Sequence, residues 1–425
     1  MPARPNILWI LTTQWRGQAT GYAGDVNART PWLDGLASEA VNYTQAVTPH
    51  PLGPQARAAL LTGKLCPENG VSDYWDPLPV YEESGTARAR TSRAPTGRTI
   101  AHALNDRGYA TAWFGKWHLA ERDRTAPFVG EVHAKQVVSP DRRGGFGLWE
   151  GFESGFLLND PWLHGTRLEK PKHFKGYQAD ILAQRAAAWS KEQGARRQAG
   201  GQPYFCVVSL EAPHPPYHAP APHVTELKPG ELKLRANVPV GGDVEKKARE
   251  ELAGYYAHIE ATDRAIGKLL TEVDLADTIV VFTSVHGDMH GSHGLFRKAW
   301  PYEESVRVPL LIRREHGARS TEPNKKEASP VSLVDLPHMA VAWAEGREWH
   351  NKRDSASISM PAATEIAQQC PVAWRGFRSA QHKLVLNADG TPWLYFDLER
   401  DPLEMKNLAG DPTRAKEIQD LIRLM

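Results

Sequence analysis

The sequence predicts an α/β fold: a doubly wound sheet with a small antiparallel subdomain at the C-terminal end. Apolar runs of strand length recur along the chain, and helical patterns lie between them. After about residue 350 the texture changes to short strand-like pieces. With 425 residues, 41% of them hydrophobic and 24% charged, the chain can bury one large core.

The first run, residues 5–11, is Pro-Asn-Ile-Leu-Trp-Ile-Leu. A parallel strand covered by helices on both sides has no polar face, and this run reads as one. Residues 204–210 and 278–283 read the same way, and residues 251–273 carry a helical period. Ligands of such sheets gather at the carboxyl ends of the strands, so chemistry is expected in residues 12–16, 211–218 and 284–293. Residues 72–98 are rich in Pro, Ser, Thr and Arg without apolar period and read as a long surface excursion near the site. Residues 383–387 and 393–397, joined by the turn Ala388-Asp389-Gly390, predict an antiparallel pair. The expected division is an α/β domain over residues 1–350, which holds the site, and a C-terminal α+β subdomain over residues 351–425.

Charge and cysteine content narrow the function classes. Fifty-one Lys and Arg against fifty Asp and Glu leave a formal charge of +1, and no basic run marks a nucleic-acid partner. Cys66, Cys206 and Cys370 are odd in number and widely spaced, which fits buried free thiols in a reducing compartment. The apolar start at residues 7–11 is too short to cross a membrane and has no signal-peptide flanks. The expectation is a cytoplasmic protein with no membrane partner.

Several strings, in order along nearly the whole chain, resemble the sulfatases of the alkaline phosphatase superfamily. Pro5-Asn6-Ile7-Leu8 followed by Thr30-Pro31-Trp32-Leu33-Asp34 resembles the family's first strand and helix, and Arg57-Ala58-Ala59-Leu60-Leu61-Thr62-Gly63 the helix after its catalytic residue. Gly115-Lys116-Trp117-His118-Leu119, Ala212-Pro213-His214-Pro215-Pro216-Tyr217 and His286-Gly287-Asp288-Met289 with Lys298 resemble later signatures. Leu394-Tyr395-Phe396-Asp397-Leu398 with Asp401-Pro402 is similar to the family's C-terminal subdomain. The resemblance implies the sulfatase fold and an anion pocket in which Arg57, Lys116, His118, His214 and Lys298 contact the sulfate group, with Asp288 nearby.

The same comparison implies losses. Family members carry Cys or Ser four residues before the Arg, oxidised to the formylglycine that supplies the attacking hydrate. Here that position is Gly53, and residues 51–56 contain no Cys, Ser or Thr, so catalysis through that nucleophile is excluded. The divalent metal of the family is held by acidic or amide residues, and the matching positions are Thr13, Gln14, Val285 and His286. Calcium takes about six to eight oxygen ligands, several of them carboxylates, so neither calcium nor any other cofactor is expected. His286, Asp288, His290 and His293 have transition-metal ligand chemistry, but active members carry nearly the same string in a conventional role. Arg57, Lys116 and Lys298 are then expected to stand unopposed, and Trp15, Trp117 and Trp300 are candidate pocket walls.

A sulfate-ester pocket without nucleophile or metal can bind without reacting or can make sulfate leave. Sulfate is a weak base and departs from carbon when fixed cations meet its developing charge. The attacking group is then the substrate's own, for example an amine closing a small nitrogen ring, with His118, His214, His286 or Asp288 as candidate proton acceptor. Elimination of sulfate uses the same parts. The competing expectation is a noncatalytic protein that binds a sulfated or phosphorylated ligand or steadies a partner subunit. A third is metal-independent hydrolysis by water with a histidine as base.

Overall fold

Strand β1, Asn6–Thr12, is buried at all seven positions and forms the centre of the molecule. It pairs in parallel with β8 (Tyr204–Ser209) on one side and β9 (Thr278–Ser284) on the other, with Leu8 opposite Cys206 and Val280. The computed structural model describes residues 4–82, 97–314, 325–423 and 425.

Beyond β8 lie β4 (Ala110–Lys116) and β5 (Leu148–Phe152), both parallel, then the antiparallel β6 (Trp162–Gly165) and β7 (Leu168–His173). Beyond β9 lie β10 (Leu310–Arg313), β2 (Val41–Tyr43) and β11 (Lys326–Glu327), completing a ten-stranded sheet. A small pair, β3 (Ala46–Val47) and β12 (Val331–Ser332), stands beside it.

Alternation along β1 divides the core into two layers, because successive side chains point to opposite faces. Leu8 and Ile10 join the layer packed by helices Pro31–Glu39, Gln178–Gln198 and Asp243–Glu272. Ile7, Trp9 and Leu11 join the layer packed by helices Gly53–Thr62, Ile100–Asn105 and Asp335–Ala344. The doubly wound arrangement is therefore as expected. The helix expected over residues 251–273 starts earlier, at Asp243, because its first turns are charged and carry little apolar period.

The C-terminal sheet has four antiparallel strands in sequence order: β13 (Ser355–Met360), β14 (Trp374–Ser379), β15 (His382–Asn387) and β16 (Pro392–Asp397). Gly390 closes the expected turn at φ 86°, where its amide donates to the Asn387 carbonyl at 3.0 Å. Ile358, Trp374 and Phe396 of this sheet share a buried cluster with Val47, Leu52 and Val306 of the large layer. Of the excursion expected over residues 72–98, residues 83–96 lie outside the described residues; Tyr74 lies in the described part and reaches the site. No described helix is long and apolar enough to cross a membrane, and all three cysteines are free thiols.

Candidate active site

A cavity of about 500 Å³ opens at the carboxyl ends of β1, β4, β8 and β9. Its inner wall holds Thr13, Gly53, Lys116, His118, His214 and Lys298, with His286 beside them. Phe128, Phe156 and Tyr217 give the outer wall an apolar character, and Ile366 and Gln369 reach in from the loop between β13 and β14.

Two inner residues hold backbones that L side chains rarely adopt. Gln14, just after β1, has φ 68°, and His118, just after β4, has φ 61°. Each costs about 1–3 kcal/mol, tolerated where the surrounding packing over-determines the position.

Lys298 is buried and donates to Gln14 Oε1 at 2.5 Å and to His214 Nε2 at 3.2 Å. Burial lowers its ammonium to about 7 against the pull of Asp288. His214 donates from Nδ1 to the Pro215 carbonyl at 2.7 Å, so its Nε2 lone pair receives the Lys298 proton. Its ring stacks on Phe156 at 4.4 Å, and the Lys116 ammonium lies 4.3 Å from the same ring centroid.

Lys116 ends β4 and is fully buried, and burial lowers it to about 8. The expectation that it stands unopposed is corrected: Glu211, the residue after Leu210 at the end of β8, binds Lys116 Nζ at 2.8 Å. The cation was read as free because its carboxylate lies on another strand, 95 residues away in sequence. Lys298 likewise faces a counter-charge, Asp288. Counting Arg57, Lys116 and Lys298 against Glu211 and Asp288, the inner site carries one net positive charge, the complement of a sulfate monoester.

Arg57 requires a second correction. Its guanidinium donates to Ser209 Oγ at 2.6 Å, to the Lys116 carbonyl at 3.1 Å and to Thr13 Oγ1 at 2.9 Å, and it does not line the cavity. With those donors engaged, Arg57 ties together the ends of β4, β8 and β1 from behind. Asp288 also lies behind the wall, where Tyr217 donates to its Oδ2 at 2.7 Å and Gln14 donates to the same oxygen. Neighbouring His290, Arg297 and Lys298 hold its carboxyl well below the usual range, so it is a poor proton acceptor.

The wall tryptophans are a third correction. Trp15 packs edge-on against Phe282 and donates to the Ala19 carbonyl, Trp117 sits among Trp113, Phe146 and Trp149, and Trp300 donates to the Phe296 carbonyl. None of the three lines the cavity.

Two imidazoles at the cavity each keep one buried ring nitrogen without a hydrogen-bond partner. His118 Nδ1 is buried and unbonded while its Nε2 lies 3.2 Å from the Tyr74 hydroxyl. His286 donates from Nδ1 to the Gly287 carbonyl at 3.0 Å, which leaves Nε2 bare, buried and unbonded. Burial and the surrounding cations push both imidazoles well below their ordinary value, so both are neutral bases at pH 7.

The donors at the family's metal positions do not fit a calcium ion. Thr13 Oγ1 donates to the Leu210 carbonyl and accepts from Arg57, Gln14 Oε1 accepts from Lys298, and Val285 has no polar atom. Lys298 takes the amide oxygen a cation would need, and no carboxylate replaces it. His286, Asp288, His290 and His293 do not gather either; among the described residues the grouping with ligand spacing is His293, Glu304 and Glu404.

A sequence profile described as Sulfatase matches residues 5–346. The chain is 33% identical to the ulvan-active sulfatase of Formosa agariphila over 97% of its own length and 78% of that protein. It is 26% identical to the choline-sulfatase of Rhizobium meliloti over 96% of its length and 83% of that protein. The solved yidJ structure from Bacteroides fragilis superposes with TM-score 0.79 at 24% identity, covering 99% of this chain and 94% of that one. The phosphonate monoester hydrolase of Agrobacterium radiobacter does so with TM-score 0.72 at 22% identity, covering 99% and 94%. The chain belongs to the sulfatase family, and its large sheet with a small antiparallel C-terminal sheet is the architecture of those structures.

Glu211, Tyr74 and Phe156 were not singled out from the sequence. Glu211 lay within a strand-end stretch already expected to carry chemistry, and its position directly after an apolar run was the available signal. Phe156 had none.

One consequence of the lowered ammonium is open to titration. An anion that binds Lys298 in its charged form loses affinity as pH rises through about 7, approaching tenfold per unit above it. Calorimetric titration with sodium sulfate from pH 6 to pH 9 at fixed ionic strength is expected to show weakening toward alkaline pH; a flat profile removes Lys298 from the anion site.

Proposed function

We propose that this sulfatase-family protein binds a small-molecule sulfate ester and promotes departure of sulfate from carbon instead of hydrolysing the ester through formylglycine. One observation carries the reading. A Cβ on Gly53 would lie 2.8 Å from His118 Nδ1 and 3.1 Å from Cε1, so His118 occupies the space a nucleophilic side chain would need.

Lys116 and Lys298 are placed to meet the charge that grows on the leaving sulfate. His118 Nδ1 and His286 Nε2 are the candidate proton acceptors, because His214 Nε2 already accepts from Lys298 and Asp288 lies behind the wall, and the steps are written for His118, which lies beside Gly53. In ring closure the substrate amine forms a C–N bond, the C–O bond breaks with its electron pair leaving on sulfate, and the amine proton passes to His118. In elimination His118 takes a carbon-bound proton and a C=C bond forms instead. A second reading, a noncatalytic sulfate-ester binder that steadies a partner subunit, draws support from Glu211, which already neutralises Lys116.

The test uses 2-aminoethyl sulfate and related β-amino alkyl sulfates in ¹⁸O-enriched water. Cleavage at carbon is expected to release sulfate without label, because its four oxygens all come from the ester. Label in the sulfate means attack at sulfur and sinks the proposal in favour of hydrolysis. Saturable binding without release favours the noncatalytic reading.

A further inference from the structure

A second cavity, of about 290 Å³, shares no residue with the first and is lined by Arg16, Gln18, Asp25, Lys233, Arg235 and Arg307 among others. Four of those six are cationic. Asp25 is the lining carboxylate, and its oxygens already accept from Tyr256 at 2.5 Å and from Asn27 at 3.0 Å.

The cations are poorly matched by the acids behind them. Arg16 is 2% exposed, its Nε has no hydrogen-bond partner, and among the described residues no carboxylate lies within ion-pair distance of it. Its NH2 group donates to the Tyr256 hydroxyl at 3.0 Å. Among the described residues Arg307 Nε has no hydrogen-bond partner, and its ion pair is a loose one with Glu303 at 3.7 Å. Glu303 is already shared with Arg378 at 3.0 Å and Lys383 at 2.8 Å. Arg235 pairs with Glu304 at 3.0 Å, and Lys383 also takes Glu404 at 2.6 Å. Glu303 is thus shared three ways, and among the described residues Arg16 has no carboxylate within ion-pair distance.

A buried guanidinium with an unfilled donor carries a desolvation cost that an anion beside it removes, and Arg16 Nε is such a donor. Planar guanidinium forks match the oxygens of phosphate and sulfate, and Gln18 at the same wall adds an amide. We propose that this crevice is a second anion site, which takes a phosphate or sulfate group on Arg16, Arg235 and Arg307 with Lys233 at its mouth. It is independent of the proposed active site, so that either reading can fail without the other.

Calorimetric titration with sodium phosphate at fixed ionic strength tests it, in a Lys298→Met background that disables the first cavity. Saturable binding is expected there, weakened at least thirtyfold by adding Arg307→Met. The unliganded Arg307→Met protein is expected to melt close to its parent, because Arg307 pairs only loosely with a Glu303 that Arg378 and Lys383 also hold. Tighter binding of glycerol 3-phosphate than of phosphate identifies an ester headgroup as the ligand; equal binding identifies the free oxyanion. If Arg307→Met fails to fold, the exposed Lys233→Glu change is expected to weaken phosphate several-fold. No saturable binding in the Lys298→Met protein, or equal affinity with and without Arg307, overturns the site.

Discussion

Replacing Lys298 with methionine is expected to abolish sulfate release and to weaken inorganic sulfate by more than a hundredfold, about 3 kcal/mol. The reason lies in what remains once the ammonium is gone. Lys116 is already bound by Glu211 at 2.8 Å and Arg57 sits behind the wall, so among the described residues Lys298 is the wall ammonium with no carboxylate within ion-pair distance. The variant is expected to fold, because methionine is close to the lysine stem in length and Asp288 keeps Tyr217 and the His290 amide as donors. Thermal melting checks the fold and calorimetry the affinity. Unchanged sulfate binding in a folded variant would show that the anion does not sit on Lys298.

Gly53→Cys is the second large effect. It restores the residue type from which the family makes its nucleophile, yet no sulfatase activity is expected to return. The new Cβ meets His118 Nδ1 at 2.8 Å, closer than real contacts allow, and His118 is itself held by Tyr74 and a left-handed backbone. Overpacking of this kind costs about 1–3 kcal/mol. The gain from replacing glycine in the first turn of its helix returns less than about 1 kcal/mol of that. The melting temperature is expected to fall, and Gly53→Cys with His118→Ala to recover most of the loss, a coupling that a double-mutant cycle reads directly. Additive losses would mean that the two side chains do not compete for space. Arylsulfate hydrolysis by Gly53→Cys after co-expression with a formylglycine-generating enzyme would show that only the nucleophile is missing.

The central strands were legible because helices cover both faces and leave no polar positions in β1, β8 or β9. Where a surface helix begins with charged residues, as at Asp243, its start was not. At the site, Lys116, His118, His214 and Lys298 were found through short strings that resemble the family, and the fold does bring them to one cavity. Direction was not legible. Arg57 belongs to the same strings but points toward β4 and β8, and the counter-charge on Lys116 comes from another strand. Whether a cation is free depends on pairings across the sheet, which local sequence does not record. The bare Nε atoms of Arg16 and Arg307 could not be read from the chain for the same reason.

Trp374 of β14 donates its indole N–H to the carbonyl of Ala299 at 2.9 Å. Arg297 and Ala299 flank Lys298 with φ 67° and 70°, so the lysine stands on a segment that would relax if released. Through that bond the small C-terminal sheet holds the segment that carries Lys298, although among the described residues it contributes no charged group to the cavity wall. Damage to that sheet would be felt as lost anion affinity before it was felt as unfolding, and mutations far from the cavity would pass for active-site defects.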